Sequence, residues 1–185
     1  MKHRLSDYEL DVATGQLVWN RHKDQMRDAP NKATLPLIWA EAILPDGSFR
    51  FQALRGNHKP YLELKARQQH LVTNCECLLL QRTTAKEQHR RLICGVLPRG
   101  FIVRNGGGVI IENHLNIIRP KKGAVDPPPL RAMSALLNSE IVDQLFRCIS
   151  GSVAVSAYEL SALPLPDPEH LKALDKLLRY CDIIK

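Results

Sequence analysis

Residues 77–92 read C-L-L-L-Q-R-T-T-A-K-E-Q-H-R-R-L. Cys77, Leu78, Leu79 and Leu80 form an unbroken apolar run, the end of a buried strand. Gln81 and Arg82 lead out of the core, and Thr84 with Glu87 stands at the Ser/Thr-x-x-Glu spacing of a capping box. In that arrangement the threonine hydroxyl accepts from an orphan backbone N–H, and the glutamate reaches back to the cap residue. The stretch therefore predicts a strand feeding directly into a helix over 85–94, with Leu92 and Ile93 turned inward. Arg82, Lys86, Arg90 and Arg91 concentrate positive charge at the junction.

The totals set the frame for this stretch. A chain of 185 residues with 44% apolar and 24% charged residues is long enough for one domain with a proper core. No apolar run approaches the roughly 20 residues needed to cross a bilayer, so no membrane role is expected. The first residues, M-K-H-R-L-S-D-Y, lack the apolar centre of a secretion signal. Five cysteines, an odd number set in apolar segments, suit buried thiols in a reducing cytoplasm. The net charge of +7 is uneven: residues 126–185 hold six basic against eight acidic side chains, leaving +9 on the first 125. A basic body of this kind suits a polyanion, or is simply a solvated basic surface.

Towards the N-terminus, residues 1–16 are polar and weakly periodic, as expected of a lead-in. Leu17, Val18 and Trp19 predict a short strand delivering Arg21, His22 and Lys23 to a loop, where they could hold phosphate. Residues 37–44 predict a strand, Asp46-Gly47 a hairpin turn, and 48–51 the alternating return strand. A polar loop at 55–59 precedes a short strand at 61–64. Beyond the central stretch, Pro98 to Gly100 breaks the chain before a strand at 101–103. Residues 105–108 then form a hairpin turn, and 109–118 the strand returning from it. Apolar spacing predicts a helix over 130–149, interrupted and re-capped at Asn138-Ser139. Residues 152–156 read as a short strand. Ser156 and Glu159 form a second capping box, and Asp167-Pro168 opens a last helix.

Several strings invite a catalytic reading and lose it. Asp126-Pro127-Pro128-Pro129 resembles the amine-binding box of amino-methyltransferases, but Pro129 stands where an aromatic ring must stack on the base. Three glycines, Gly106 to Gly108, lack the Gly-Lys-Ser/Thr that completes a phosphate loop. Cys75 and Cys77 share a strand face without a second ligand pair for zinc. His89 has no third group to orient it for nucleophilic chemistry. Asn113, His114 and Asn116 remain, carrying amides and an imidazole that suit base edges or the backbone at a strand end. Arg119, Lys121 and Lys122 follow directly.

One ordered set of strings resembles a known family. It comprises Val18-Trp19-Asn20-Arg21-His22-Lys23, Leu37-Ile38-Trp39-Ala40, Leu80-Gln81-Arg82-Thr83-Thr84 and Glu112-Asn113-His114-Leu115-Asn116. Ala135-Leu136-Leu137-Asn138-Ser139, Phe146-Arg147, Gly151-Ser152 and Leu163-Pro164-Leu165-Pro166 follow in the same order. The sequence resembles the C-terminal target-recognition part of adenine-specific DNA methyltransferases of restriction–modification systems. Its last portion is also similar to the close of a type I specificity-subunit recognition half. The cofactor and catalytic motifs of such enzymes have no match here.

The resemblance implies a recognition domain that is not itself catalytic and holds no cofactor. S-adenosylmethionine would belong to a catalytic methyltransferase domain elsewhere in the parent protein. The expected fold is α+β: a lead-in over 1–16, an antiparallel β-rich core over 17–129, and a closing helical segment over 130–185. The expected partner is double-stranded DNA. Arg21, His22, Lys23, Lys86, Arg90, Arg119, Lys121 and Lys122 are candidates for its phosphates. Arg82, Asn113, His114, Asn116 and the loop at 55–59 are candidates for its bases. The rival readings are an RNA-binding module, disfavoured by 5% aromatic content and no visible stacking platform, and a protein-interaction domain using the helical tail.

Overall fold

The computed structural model describes residues 1–83, 90–152 and 154–183, with the side chain of residue 183 left aside. In chain order its strands are β1 (Leu10–Thr14), β2 (Met26–Arg27), β3 (Thr34–Ile38), β4 (Tyr61–Glu63) and β5 (Val72–Thr73). They continue with β6 (Cys77–Gln81), β7 (Cys94–Leu97), β8 (Val109–Ile111) and β9 (Leu115–Pro120). Helix α1 (Arg99–Arg104) lies between β7 and β8, and α2 (Leu130–Leu137), α3 (Glu140–Ile149), α4 (Ala157–Ala162) and α5 (Pro168–Ile183) close the chain. The class is α+β, as the sequence led us to expect.

Two sheets carry these strands. One is antiparallel throughout, in the order β1-β9-β6-β7; the other runs β2-β4-β3-β8-β5 and is parallel only between β3 and β8. The unbroken apolar run of β6 now has its cause, since both its faces are covered. Leu78 and Leu80 pack with Met133, Leu137, Phe146 and Leu160 of the helices, while Cys77 and Leu79 pack with Ile38, Ile43 and Ile111 on the side of the second sheet. A third cluster of Leu17, Leu37, Trp39, Leu62 and Ile110 covers the far side of that sheet. Burying a leucine in full contributes about 1.5–3 kcal/mol, so β6 anchors both layers.

The helices follow their sequence signals closely. Asn138 ends α2, and Ser139 opens α3 by accepting a hydrogen bond from the Val142 N–H. At α4 the Ser156 hydroxyl accepts from the Glu159 N–H, and the Glu159 carboxylate accepts from the Ser156 N–H and hydroxyl. The Asp167 carboxylate accepts from the Glu169 N–H at 2.9 Å in the first turn of α5.

Elsewhere the chain departs from expectation. Residues 84–89, and with them Lys86 and the Thr84–Glu87 box, lie outside the described residues. From residue 90 onward the predicted helix is absent: Cys94 opens β7, which pairs antiparallel with β6 from Cys77↔Leu97 to Leu80↔Cys94. Leu92, Ile93 and Cys94 are buried because they sit beside β6. Residues 101–103 are helical, with Ile102 buried and the Pro98 carbonyl receiving the first N–H groups. A three-residue apolar run does not separate the two periods.

The expected return strand at 109–118 is two strands in different sheets, with the crossing made at residues 112–114. Leu17 makes a single bridge to Glu112, and Trp19–Arg21 is a 3₁₀ turn, so no strand forms at 17–19. Strand β3 ends at Ile38, and Trp39 caps a 3₁₀ turn at Ala40–Ala42. The Asp46-Gly47 turn is present, with Gly47 at φ 82°, but only Ile43 and Phe49 pair across it. The turn at 105–108 joins α1 to β8 rather than two strands, with Gly106 and Gly107 both at positive φ. Among the described residues of the expected strand at 152–156, Ala154 alone makes a bridge, to Thr83. The lead-in at 1–16 carries β1, which pairs with β9 along its length, and buries Leu5, Tyr8 and Leu10. Its apolar residues are spaced among polar ones that face outward, which hides the strand.

Candidate nucleic-acid interface

The 3₁₀ turn at Trp19–Arg21 is held where Gln25, buried behind it, donates to the Glu63 carbonyl at 2.8 Å and to Gln68 Oε1 at 2.7 Å. His22 Nδ1 lies 3.0 Å from Gln25 Oε1, so that imidazole serves this turn. Lys23 Nζ sits 5.2 Å from the centre of the Trp19 ring, a cation–π distance, and Lys23 and Arg21 are both exposed. Across from the turn, Trp39 Nε1 donates to the Lys59 carbonyl at 2.8 Å. That bond ties the loop at 55–59 to the end of β3.

Glu41 organises the same loop. Its Oε1 accepts from the Leu54 N–H and lies 3.1 Å from His58 Nδ1, while its carbonyl accepts from Gln52 Nε2 at 2.6 Å. His58 is thereby laid flat on Trp39, with centroids 3.6 Å apart and ring planes 7° apart. Trp19 stands edge-on to both rings, 6.1 Å from Trp39 and 6.5 Å from His58.

The remaining wall comes from the crossing between sheets. Glu112 is fully buried, and its two oxygens meet the His114 N–H at 2.8 Å and His114 Nδ1 at 2.7 Å. Arg82 donates from Nη1 to the Asn113 carbonyl and from its backbone N–H to the His114 carbonyl, both at 2.8 Å. These pieces enclose an open cleft of about 290 Å³, lined by Trp19, Trp39, Glu41, Arg55, Asn57, His58, Thr83, Glu112 and His114. A second hollow of about 370 Å³ shares Trp19 and Asn57 with the first and is lined also by Lys23, Met26 and Lys59.

Of the sequence candidates, His114 and residues 55, 57 and 58 line the cleft, Arg82 and Asn113 are bonded to each other next to His114, and Lys23 lines the second hollow. The other described candidates line neither. Asn116 is completely buried, and its Nδ2 donates to the Val155 carbonyl at 2.8 Å, so its amide is committed inside the fold. Arg119 faces Asp11 in the β1–β9 ladder. Lys121 donates to the Ser6 carbonyl at 3.0 Å and Lys122 is exposed, about 20 Å along the strand direction from His114. Arg90 is half-buried, next to the undescribed segment.

Sequence reasoning missed Trp19 and Trp39 as site residues, and with them Glu41, Thr83 and Glu112. It also did not foresee the aromatic cluster, in which Trp39 is buried beneath His58 and so is packed as core. Its rings come from positions 19, 39 and 58, too far apart in the chain to signal one another. Among the described residues no group of three His, Cys, Asp or Glu side chains is gathered to hold a metal ion. No described helix is long and apolar enough to cross a membrane.

Similarity places the chain beside a class of enzymes. It is similar over most of its length to type II methyltransferases, as the ordered strings led us to expect. One is M.BsuBI of Bacillus subtilis, 26% identical over 174 residues, which cover 94% of this chain and 34% of that protein. Another is M.PstI of Providencia stuartii, 27% identical over 169 residues, covering 91% of this chain and 33% of that protein. The chain thus spans about a third of the length of the curated relatives it matches. Among solved structures, a chain from a type I R-M system matches at TM-score 0.44 and 14% identity, over 98% of this chain and 39% of that one. A superposition that loose says nothing about function. No protein-family model matches the chain.

Proposed function

We propose that this chain recognises a short target sequence in duplex DNA, as the target-recognition domain of an N6-adenine methyltransferase. The chemistry then belongs to a methyltransferase domain outside these residues, which would take S-adenosylmethionine as its cofactor. The observation that carries this reading is the likeness to type II methyltransferases, which runs through nearly the whole chain but only a third of each relative. A separable, non-catalytic part of such an enzyme fits that proportion. The cleft supports the reading further. A polar and aromatic hollow lined by Arg55, beside a second one lined by Lys23 and Lys59, suits a duplex held by its phosphates and read by loops.

Phosphate contact falls to Arg21, Lys23, Arg90, Arg119, Lys121 and Lys122, and to Lys86. Base reading falls to Arg82, Asn113, His114 and the loop at 55–59. Fluorescence anisotropy of the purified 185-residue chain on a duplex DNA pool tests this directly. Binding should weaken with salt at a log–log slope of about −0.9 per phosphate neutralised. The double replacement Lys121→Ala, Lys122→Ala should lower affinity evenly across sequences and flatten that slope by up to about two. Binding indifferent to salt, or tighter to single-stranded RNA than to duplex DNA, would overturn the proposal.

A further inference from the structure

We propose that the hollow between Trp19, Lys23 and Lys59 seats one sugar–phosphate unit of the DNA backbone, and that this phosphate takes Lys59 from Asp28. This rests on the recognition reading above and adds to it the side chains that grip the strand and the carboxylate that restrains one of them. Within the loop at 55–59, Asn57 and Lys59 then serve the backbone, leaving the rest of the loop to the bases.

Charge is the first argument. The two hollows share Trp19 and Asn57 and differ in what else lines them. The first has two carboxylates, Glu41 and Glu112, and its guanidinium, Arg55, already faces Glu41 at 3.6 Å. The second is lined by two ammonium groups, Lys23 and Lys59, and among the described residues by no carboxylate. A phosphate is therefore drawn to the second and turned away from the first.

The lining gives the second argument. At about 370 Å³ the hollow lies at the small end of the roughly 300–1,000 Å³ of small-molecule sites, which suits one pentose with its phosphate. Trp19 and Met26 offer apolar surface for a deoxyribose ring, and Asn57 carries an amide able to donate to a phosphate oxygen.

The two lysines give the third argument. Lys23 Nζ stands 5.2 Å from the centre of the Trp19 ring and is exposed, and among the described residues no carboxylate pairs with it. The neighbouring Asp24 is bonded to Lys65 instead. Lys59 is held differently: its ammonium donates to both oxygens of Asp28, at 2.6 and 2.8 Å, and the Asp28 side chain is 76% exposed. An ion pair so open to water contributes little and is readily exchanged. A phosphate entering beside Lys23 thus finds a second cation already extended, and Asp28 is released to solvent as the phosphate replaces it.

The 185-residue chain is titrated by fluorescence anisotropy against two duplexes of unrelated sequence over a range of salt concentrations. None of the side chains to be replaced is buried, so thermal midpoints should stay near that of the unaltered chain. Lys23→Ala and Lys59→Ala should each lower affinity by the same factor on both duplexes. Lys23→Ala should flatten the log–log salt slope by about 0.9, and Lys59→Ala by less, because releasing Asp28 takes up a cation. Asp28→Asn should do the opposite, tightening binding about twofold to fivefold, the range set by an exposed ion pair, and steepening the slope. In a Lys59→Ala background the same Asp28→Asn replacement should change affinity little.

Unchanged affinity and slope in Lys23→Ala or in Lys59→Ala overturns the seat, while salt-dependent binding by the unaltered chain leaves the recognition reading intact. A loss confined to one duplex makes the lysines base readers and overturns the seat likewise. No gain from Asp28→Asn, or an equal gain with and without Lys59, overturns the exchange. No binding of either duplex by the unaltered chain overturns the recognition reading itself.

Discussion

Replacing Asn116 by alanine separates a base reader from a residue that closes the core. The side chain is fully buried on β9, where it pairs in register with Thr14 of β1 and Leu80 of β6. Its Nδ2 donates at 2.8 Å to the carbonyl of Val155, a buried residue just ahead of α4. The Thr14 hydroxyl lies 3.4 Å from Oδ1, a weak contact at best. Truncation leaves the Val155 carbonyl without a donor, which costs about 1–3 kcal/mol in a buried site, and the small void adds to it.

A loss of about 2–3 kcal/mol is expected for Asn116→Ala. With a urea dependence of about 2 kcal/mol per molar, the unfolding midpoint falls by roughly 1 M. Sequence preference on duplex DNA should stay as it is, measured well below the shifted midpoint. An unchanged midpoint together with an altered preference would refute the reasoning and return Asn116 to the interface.

Two other outcomes follow from the same structure. Partial burial of Glu159 opposes its ionisation, but hydrogen bonds from Ser156 and the nearby Arg91 outweigh it, holding the carboxyl below the ordinary glutamate range. A depressed folded value means that the stabilisation is present at neutral pH and fades as pH falls through that value. Ser156→Ala should therefore cost about 1 kcal/mol at pH 7 and progressively less in acid, read as a difference in thermal midpoint that narrows with pH. Burial pushes the Cys94 thiol up to about 12 and raises the Cys77 thiol as well, whereas Cys148 and Cys181 are exposed. A thiol reagent at pH 8 should label Cys148 and Cys181 in the folded protein, and Cys77 and Cys94 only after denaturation; rapid labelling of Cys94 in the native state would contradict the packing of β7.

How much of this was legible depended on whether the deciding partner was near in sequence. The break at Asn138-Ser139, the Ser156–Glu159 box and the Asp167-Pro168 start are local devices whose donors and acceptors lie within a few residues, and all three appear as read. Leu92, Ile93 and Cys94 were misread as a helix end because their burial comes from β6, across a connection whose course the sequence does not state. Val109 and Leu115 look like one strand until Ile110 is found beside Leu37 and Ile117 beside Leu79, in different sheets. At the site, the cationic and amide residues announced themselves by type. Glu41 and Glu112 did not, since an isolated glutamate carries no sign that a fold will bury it.

The three residues that cross between sheets have a mechanical consequence. Leu17 and Glu112 bridge at this point, and a Cβ added at Gly15 would lie 2.1 Å from the Glu112 carbonyl oxygen, so there is no slack beside the crossing. The two layers are therefore pinned together at this point by backbone contact, with no room for a side chain between them. The outer loop at 52–59 is fastened differently, by side-chain bonds to Glu41, by Trp39 and by the Lys59–Asp28 ion pair, while the side bearing His114 acts as a fixed anvil.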